Sequence, residues 1–193
     1  ELEKATKQTE LQQLKKQINP HFLFNMLNNA NILVKDAPDE ASQILEKLDN
    51  LLRYQLNDST RREVFLTADI QFLTSFLELE KVRRDHFEYT IFQEGNMENI
   101  CIPPLLFIPF VENAVKHNLD SDNLSYVHLY FSVHNKQLTF RCENSKPRVP
   151  VKREGGIGLA NVKRRLDLLY ESRYTLQIED KETTYNVNLH LNL

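Results

Sequence analysis

Between Gln17 and Asn29 the chain reads QINPHFLFNMLNN, and this stretch limits what the N-terminal part can become. It sits in a run from Leu2 to about Lys35 that holds no glycine and only Pro20 as a breaker, so helix is favoured throughout. A proline in a helix interior removes a donor and clashes with the preceding turn, at a cost of roughly 3 kcal/mol. Helical spacing sets His21, Asn25 and Asn28 on one line at i, i+4 and i+7, while Phe22, Leu23, Phe24, Met26 and Leu27 fill the rest of the circumference. Leu11, Leu14 and Ile18 continue that line upstream, so the apolar seam is expected to run into His21. A bundle helix with a kink and a satisfied core histidine is the plain alternative. Three amide or imidazole groups on one stripe cannot all be buried cheaply, which raises a functional His21 beside it.

The 193 residues suffice for one or two domains with a sizeable core, and 41% hydrophobic with 26% charged residues is ordinary for a globular chain. A net charge of -3 provides no basic field, so neither nucleic acid nor an anionic membrane is expected as a partner. Cys101 and Cys142 lie far apart in apolar contexts without metal-ligand spacing and read as reduced core residues. No apolar run reaches the ~20 residues of a membrane helix. The chain opens mid-pattern without an initiating Met, which suggests a fragment whose missing N-terminal part carries sensing or membrane segments.

DAPDE at Asp36 to Glu40 supplies a turn into a second helix, with Ala41, Ile44, Leu45, Leu48, Leu51 and Leu52 at helical spacing to about Asn57–Thr60. Two helices alone cannot bury both apolar faces, so this hairpin is expected to pair with a copy of itself in a four-helix bundle. After NDSTRRE a second unit begins. A helix capped by Thr67 runs to about Arg84, FEYTIFQEG alternates as a strand, and Pro103-Pro104 introduces the apolar helix LLFIPFVENAVKHNL, broken once by Pro109. YVHLYFSV with QLTFRCEN, and YTLQIED with TYNVNLHLN, read as two β-hairpins, and GGIGLANVKRRLDLLY as a glycine turn feeding an amphipathic helix. About three helices interleaved with about five strands point to an α+β sandwich, with helices on one face of a largely antiparallel sheet.

Of the four glycines, Gly155, Gly156 and Gly158 crowd one turn. Glycines at a helix start let a backbone approach an anion closely and offer it free amides, and phosphate is the natural guest. The pattern is neither a P-loop nor the dinucleotide fingerprint. In PFVENAVKHN, the residues Glu112, Asn113, Lys116, His117 and Asn118 crowd an otherwise apolar helix. Asn113 and Lys116 share a face one turn apart, where an amide oxygen can ligate Mg²⁺ and a lysine can meet a phosphate. A solvated face of an amphipathic helix is the alternative.

The segments LKKQINPHFLFNMLNN, LELEKVR, IPPLLFIPFVENAVKHN and GGIGLANVKRRLDLLY, in that order, closely resemble the LytS/YehU-type sensor histidine kinases of the GHKL superfamily. The resemblance implies a dimerisation and phosphotransfer hairpin at residues 1–62, forming a dimeric four-helix bundle, and a Bergerat-type ATP-binding domain at residues 63–193. His21 matches the phosphoacceptor, with Asn25 one turn on to orient it or a water, and Glu112 as a candidate acid or base. Asn113 matches the N-box residue that holds Mg²⁺, with Lys116 and His117 facing phosphates or nucleotide. Gly156 and Gly158 match the glycine box, with Leu159 and Asn161 opening the helix behind it.

One departure stands out. Where many GHKL proteins read Asp-x-Gly-x-Gly, this chain reads ENSKP, so Asn144 takes the place of the Asp that accepts a hydrogen bond from adenine. An amide oxygen can still accept, without charge assistance, while the amide nitrogen adds a donor that relaxes base selectivity. The resemblance further implies ATP and Mg²⁺ as cofactors, a homodimer, the receiver domain of a response regulator as partner, and a cytoplasmic fragment of an inner-membrane sensor. A dimeric signalling scaffold with a degenerate ATP domain is the competing expectation, favoured by Asn144 and disfavoured by Asn113 with Gly156 and Gly158.

Overall fold

The computed structural model describes residues 20–120, 123–147 and 157–193. These fall into two compact units, one of residues 20–85 with Glu98–Leu106 and one of His86–Met97 with Phe107–Leu193.

In the first unit α1 (Pro20–Leu33) and α2 (Pro38–Arg53) form an αα-hairpin. Pro38 stands at the start of α2 with Asp39 and Glu40 in its first turn, where a fixed φ and negative charge suit the positive end of the helix dipole. The α2 backbone widens into a π-helical turn over Tyr54–Asp58, closed by Ser59 N donating to Tyr54 O at 3.0 Å. Phe22, Met26 and Ala30 on α1 are buried, as are Ala41, Ile44, Leu48 and Leu51 on α2.

What buries them lies in the same chain. The helix α3 (Leu66–Arg83) hides Leu66, Ile70, Leu73, Leu77 and also Phe72 and Phe76, and a helix apolar on so much of its girth must pack on several neighbours. Phe76 meets Phe22 at a ring separation of 5.0 Å, Phe72 meets Tyr54 at 4.6 Å, and Lys47 of α2 bonds Glu78 of α3 at 2.6 Å. The helix α3 thus covers the buried seam of the hairpin within the chain. Phe24, Leu27, Ile32, Leu45 and Leu56 stay exposed.

Thr67 does not cap α3. The chain enters the helix from β1 (Val64–Phe65) with extended Phe65 at the N-cap position and no side-chain cap. Leu66 N instead donates to Ile100 O at 2.8 Å, beside the two-stranded pairing of β1 with β3 (Cys101–Ile102). On β3 successive side chains face opposite ways, so Ile102 is buried and Cys101 exposed, and Cys101 is not the core residue its apolar neighbours suggested.

The second unit is a five-stranded sheet in the order β2-β4-β5-β7-β6 with helices on one face. Its strands are β2 (Phe87–Gly95), β4 (Ser125–His134), β5 (Gln137–Ser145), β6 (Tyr174–Asp180) and β7 (Thr184–Asn192), and its helices α4 (Ile108–His117) and α5 (Ile157–Tyr170). Only β2 and β4 run parallel, which suits their non-sequential connection; the sequential hairpins are antiparallel. Register keeps Leu129, Cys142 and Val187 level across β4, β5 and β7, and Phe131, Phe140 and Leu189 one step on, all on the covered face.

Asn135 and Lys136 join β4 to β5 with φ of 50° and 63°, the mirror-image turn whose twist matches that of the strands. Gly95 ends β2 at φ 86°, where a Cβ would lie 2.2 Å from Val133 O. Pro109 does not break the apolar helix. It occupies the first turn of α4, where its missing N–H costs nothing, and the residues before Ile108 lie outside the helix. Phe107 and Phe110 then seat α4 on Phe140, at ring separations of 4.5 Å and 5.9 Å.

Candidate functional site

On α4 the residues Phe110, Val111, Ala114 and Val115 are buried, which turns Glu112 and Asn113 to a half-buried flank and Lys116 to solvent, with His117 half-buried. Asn113 and Lys116 are thus brought to one accessible side of the helix, as their spacing requires. Asn118 follows α4 fully buried, its amide nitrogen donating to Tyr126 O at 3.0 Å.

Asn144 lies on β5 between Val127 and Tyr185 and alternates with Phe140 and Cys142, so it belongs to the helix-covered face, where only 1% of it is exposed. Its Nδ2 donates to Ser145 O at 2.8 Å. A carbonyl can only accept, so the nitrogen must face it, and Oδ1 remains the acceptor. The extra donor that suggested relaxed base selectivity is engaged within the chain. On the same face, burial pushes the Cys142 thiol up to about 12, and it is inert at neutral pH.

The end of β5 is tied down. Lys146 N donates to Thr183 O at 2.8 Å, and its ammonium bonds Asp180 at 2.8 Å and Lys181 O at 2.6 Å. Lys146 is thereby committed to the β6–β7 turn. Gly156 and the basic residues Arg148, Lys152 and Arg153 lie outside the described residues. Gly158 lies in the first turn of α5, followed by half-buried Leu159 and Asn161, while Val162, Leu166 and Tyr170 fasten the helix by its apolar stripe.

In the helical unit His21 stands in the first turn of the described α1, and its side chain and the run through Pro20 lie outside the described residues. Asn25 is half-buried and Asn28 exposed, whereas Phe22, Met26 and Ala30 are buried. The buried seam therefore runs one residue beside the polar line instead of through it. Of the polar line only Asn28 is fully exposed among the described side chains.

A buried node escaped sequence reasoning. Asp69 in the first turn of α3 is fully buried and accepts from Tyr54 OH at 2.5 Å and from Leu105 N at 3.0 Å. Leu105 has φ 56°, a left-handed backbone, just ahead of the segment that opens α4. The signal was an acid inside the apolar run LTADIQFL, which passes for an ordinary first-turn acid.

The donor set accords with a magnesium ion held largely by phosphate and water. Asn113 offers one neutral oxygen, and among the described residues no group of three or more His, Cys, Asp or Glu could hold a metal unaided.

Sheet order and helix placement define the class. The fold is that of the catalytic domain of the histidine kinase ThkA (TM-score 0.51, 15% identity, covering 67% of this chain and 93% of that domain). The histidine kinase domain of the Erythrobacter litoralis blue-light activated kinase is similar over 98% of this chain and 93% of its own (TM-score 0.52, 16% identity). Residues 9–87 match the family described as histidine kinase.

Among curated proteins, the Staphylococcus haemolyticus sensor protein LytS is 30% identical over 97% of this chain. The Escherichia coli sensor histidine kinase YpdA is 31% identical over 62% of it, and the Staphylococcus aureus sensor histidine kinase/phosphatase LytS 32% identical over 59%. The chain belongs with the LytS-type sensor histidine kinases. It spans 35%, 21% and 20% of the length of those three relatives.

Proposed function

We propose that this chain is the kinase portion of a two-component sensor, which phosphorylates its own His21 from ATP and passes the phosphoryl group to an aspartate on the receiver domain of a response regulator. The observation that carries the reading is the likeness to LytS over 97% of the chain, a span that takes in NPHFLFN, the α4 motif and the glycine turn in order.

Near pH 7 an unperturbed imidazole is mostly neutral, so a ring nitrogen of His21 can attack the γ-phosphorus as the bond to the β–γ bridging oxygen breaks and ADP leaves. The ring then sheds its N–H proton to water or to Glu112, and Asn25 orients the ring. Phosphoryl transfer asks little covalent chemistry of a protein, so the remaining residues position and neutralise. Lys116 and His117 meet phosphate charge, the α5 N-terminus behind Gly156 and Gly158 offers amides to it, and Leu159 and Asn161 line its approach. Asn144 presents Oδ1 to the exocyclic amine of adenine. A Mg²⁺ ion held at Asn113 would screen the phosphate charge.

Residues 1–62 serve dimerisation and phosphotransfer and residues 63–193 bind nucleotide. Exposed Phe24 and Leu27 on α1, Leu45 on α2 and Leu56 just beyond it support a homodimer joined as a four-helix bundle, because exposed apolar side chains on both helices of a hairpin suit a matching copy. Among the described residues no helix is long and apolar enough to cross a membrane, and the fragment is read as the cytoplasmic part of an inner-membrane sensor.

His21→Gln tests the assignment. Incubation with γ-labelled ATP should leave no acid-labile label on the variant while its dimer persists in sedimentation. Label at the wild-type level would overturn the reading.

A further inference from the structure

The main-chain ladder between β4 and β5 ends at Val127 and Asn144, one residue short of Tyr126. In a strand the N–H and C=O of one residue point to the same side, so Tyr126 turns both toward the missing rung. Each is met by a side chain. Tyr126 N donates to Ser145 Oγ at 3.0 Å, and Tyr126 O accepts from Asn118 Nδ2 at 3.0 Å. Both partners border the site: Asn118 follows Lys116 and His117 at the end of α4, and Ser145 follows Asn144 on β5.

We propose that Asn118 and Ser145 are positioning residues that, through the single Tyr126 peptide group, hold the phosphate-facing end of α4 and the base-facing end of β5 in register. The inference rests on the nucleotide site proposed above and adds two residues that would not touch nucleotide. A main-chain rung would lock only two strands. A side chain from the helix locks helix to strand as well, and the full burial of Asn118 shields that bond from water. The hydroxyl of Ser145 is the smallest group that can stand in for a carbonyl here, and Asn144 Nδ2 bonds the carbonyl of the same residue. Motion of Tyr126 relative to α4 is thereby transmitted to Asn144, and the reverse.

The test uses the whole chain with Asn118→Ala, Ser145→Ala, their double variant and Ser145→Thr, which keeps the hydroxyl on a residue that strands favour. Calorimetry with Mg·ATP should show each alanine variant binding about tenfold more weakly, the double variant no weaker than the weaker single, and Ser145→Thr near wild type. A merely structural role would lower the melting temperature without that pattern.

Amide exchange is read in parallel on nucleotide-free protein. Asn118→Ala should speed exchange at Asn144, and Ser145→Ala at His117, so each change loosens the element it does not belong to. Unchanged affinity in both folded alanine variants, additive losses in the double, or exchange confined to the substituted element would overturn the proposal. If wild type itself bound no Mg·ATP, the site reading would fail, and the cross-element exchange would still decide the coupling. Should Asn118→Ala fail to fold, the Ser145 pair decides it alone.

Discussion

Replacing Tyr54 with Phe removes one oxygen from the helical unit and leaves everything else in place. The ring keeps its contact with Phe72 at 4.6 Å, so no cavity opens and the apolar contribution is nearly conserved. What is lost is the hydroxyl that donates to Asp69, a carboxyl with no exposed surface. Hydrogen bonds to charged groups contribute about 1.5–3 kcal/mol, and a buried acceptor left short of a donor keeps its desolvation cost. Asp69 retains Leu105 N at 3.0 Å, which puts the expected loss near the middle of that range, about 2 kcal/mol. For a chain of this length that is a fall of about 4–8 °C in melting temperature.

The same substitution has a signature in pH. Burial above all, then the charge of Asp69 and the bond to it, holds the Tyr54 hydroxyl protonated well above its ordinary value. In the unfolded chain it ionises near pH 10, so above that point the folded state holds a proton the unfolded state has released. The contribution of Tyr54 is therefore complete below about pH 10 and declines as pH rises toward the folded value. Urea denaturation followed by helical circular dichroism, at pH 7.5 and at steps above pH 9, should show Tyr54→Phe weaker at neutral pH and with a flatter alkaline limb. A loss under about 0.5 kcal/mol together with an unchanged alkaline slope would refute the account of the node.

Two further substitutions probe the sheet unit. Asn113→Ala, at a half-buried flank of α4, should leave the melting temperature within a degree or two of wild type and weaken Mg·ATP binding by about tenfold or more in calorimetry; unchanged affinity counts against Asn113 as the metal-holding residue. Gly95→Ala forces a Cβ to within 2.2 Å of Val133 O at φ 86°, and should cost about 2 kcal/mol or more in urea denaturation, whereas a neutral result would mean that the end of β2 shifts freely.

The elements most legible in the chain were those whose pattern is local. FEYTIFQEG alternates and forms β2 over Phe87–Gly95, and the polar Asn135-Lys136 pair between two alternating runs forms the tight hairpin turn. The candidate residues of α4 were legible for the same reason, because helical spacing alone brings Asn113 and Lys116 to one side. Errors arose where a residue had two possible roles and distant chain chose between them. Pro109 can break a helix or begin one, and the turn before it made it a beginning. Thr67 is a good cap, but Ile100 O had already claimed the first amide of α3. Cys101 has apolar neighbours in sequence, and strand alternation turned it outward.

Period, punctuation and residue type were thus enough to place most helices and strands and to expect a largely antiparallel sheet with helices on one side. These follow from interactions within a few residues. Only the tertiary structure decided that α3 covers the hairpin seam, that Asp69 joins Tyr54 to Leu105, and that Asn144 is buried with its amide nitrogen bonded to Ser145 O. The polar line His21, Asn25 and Asn28 shows the division most plainly. Its spacing was set by the helix, but the side of the helix that became the seam was set by the packing helix, which buried Phe22, Met26 and Ala30. Long-range contacts select among locally equivalent faces, and no local pattern records that selection.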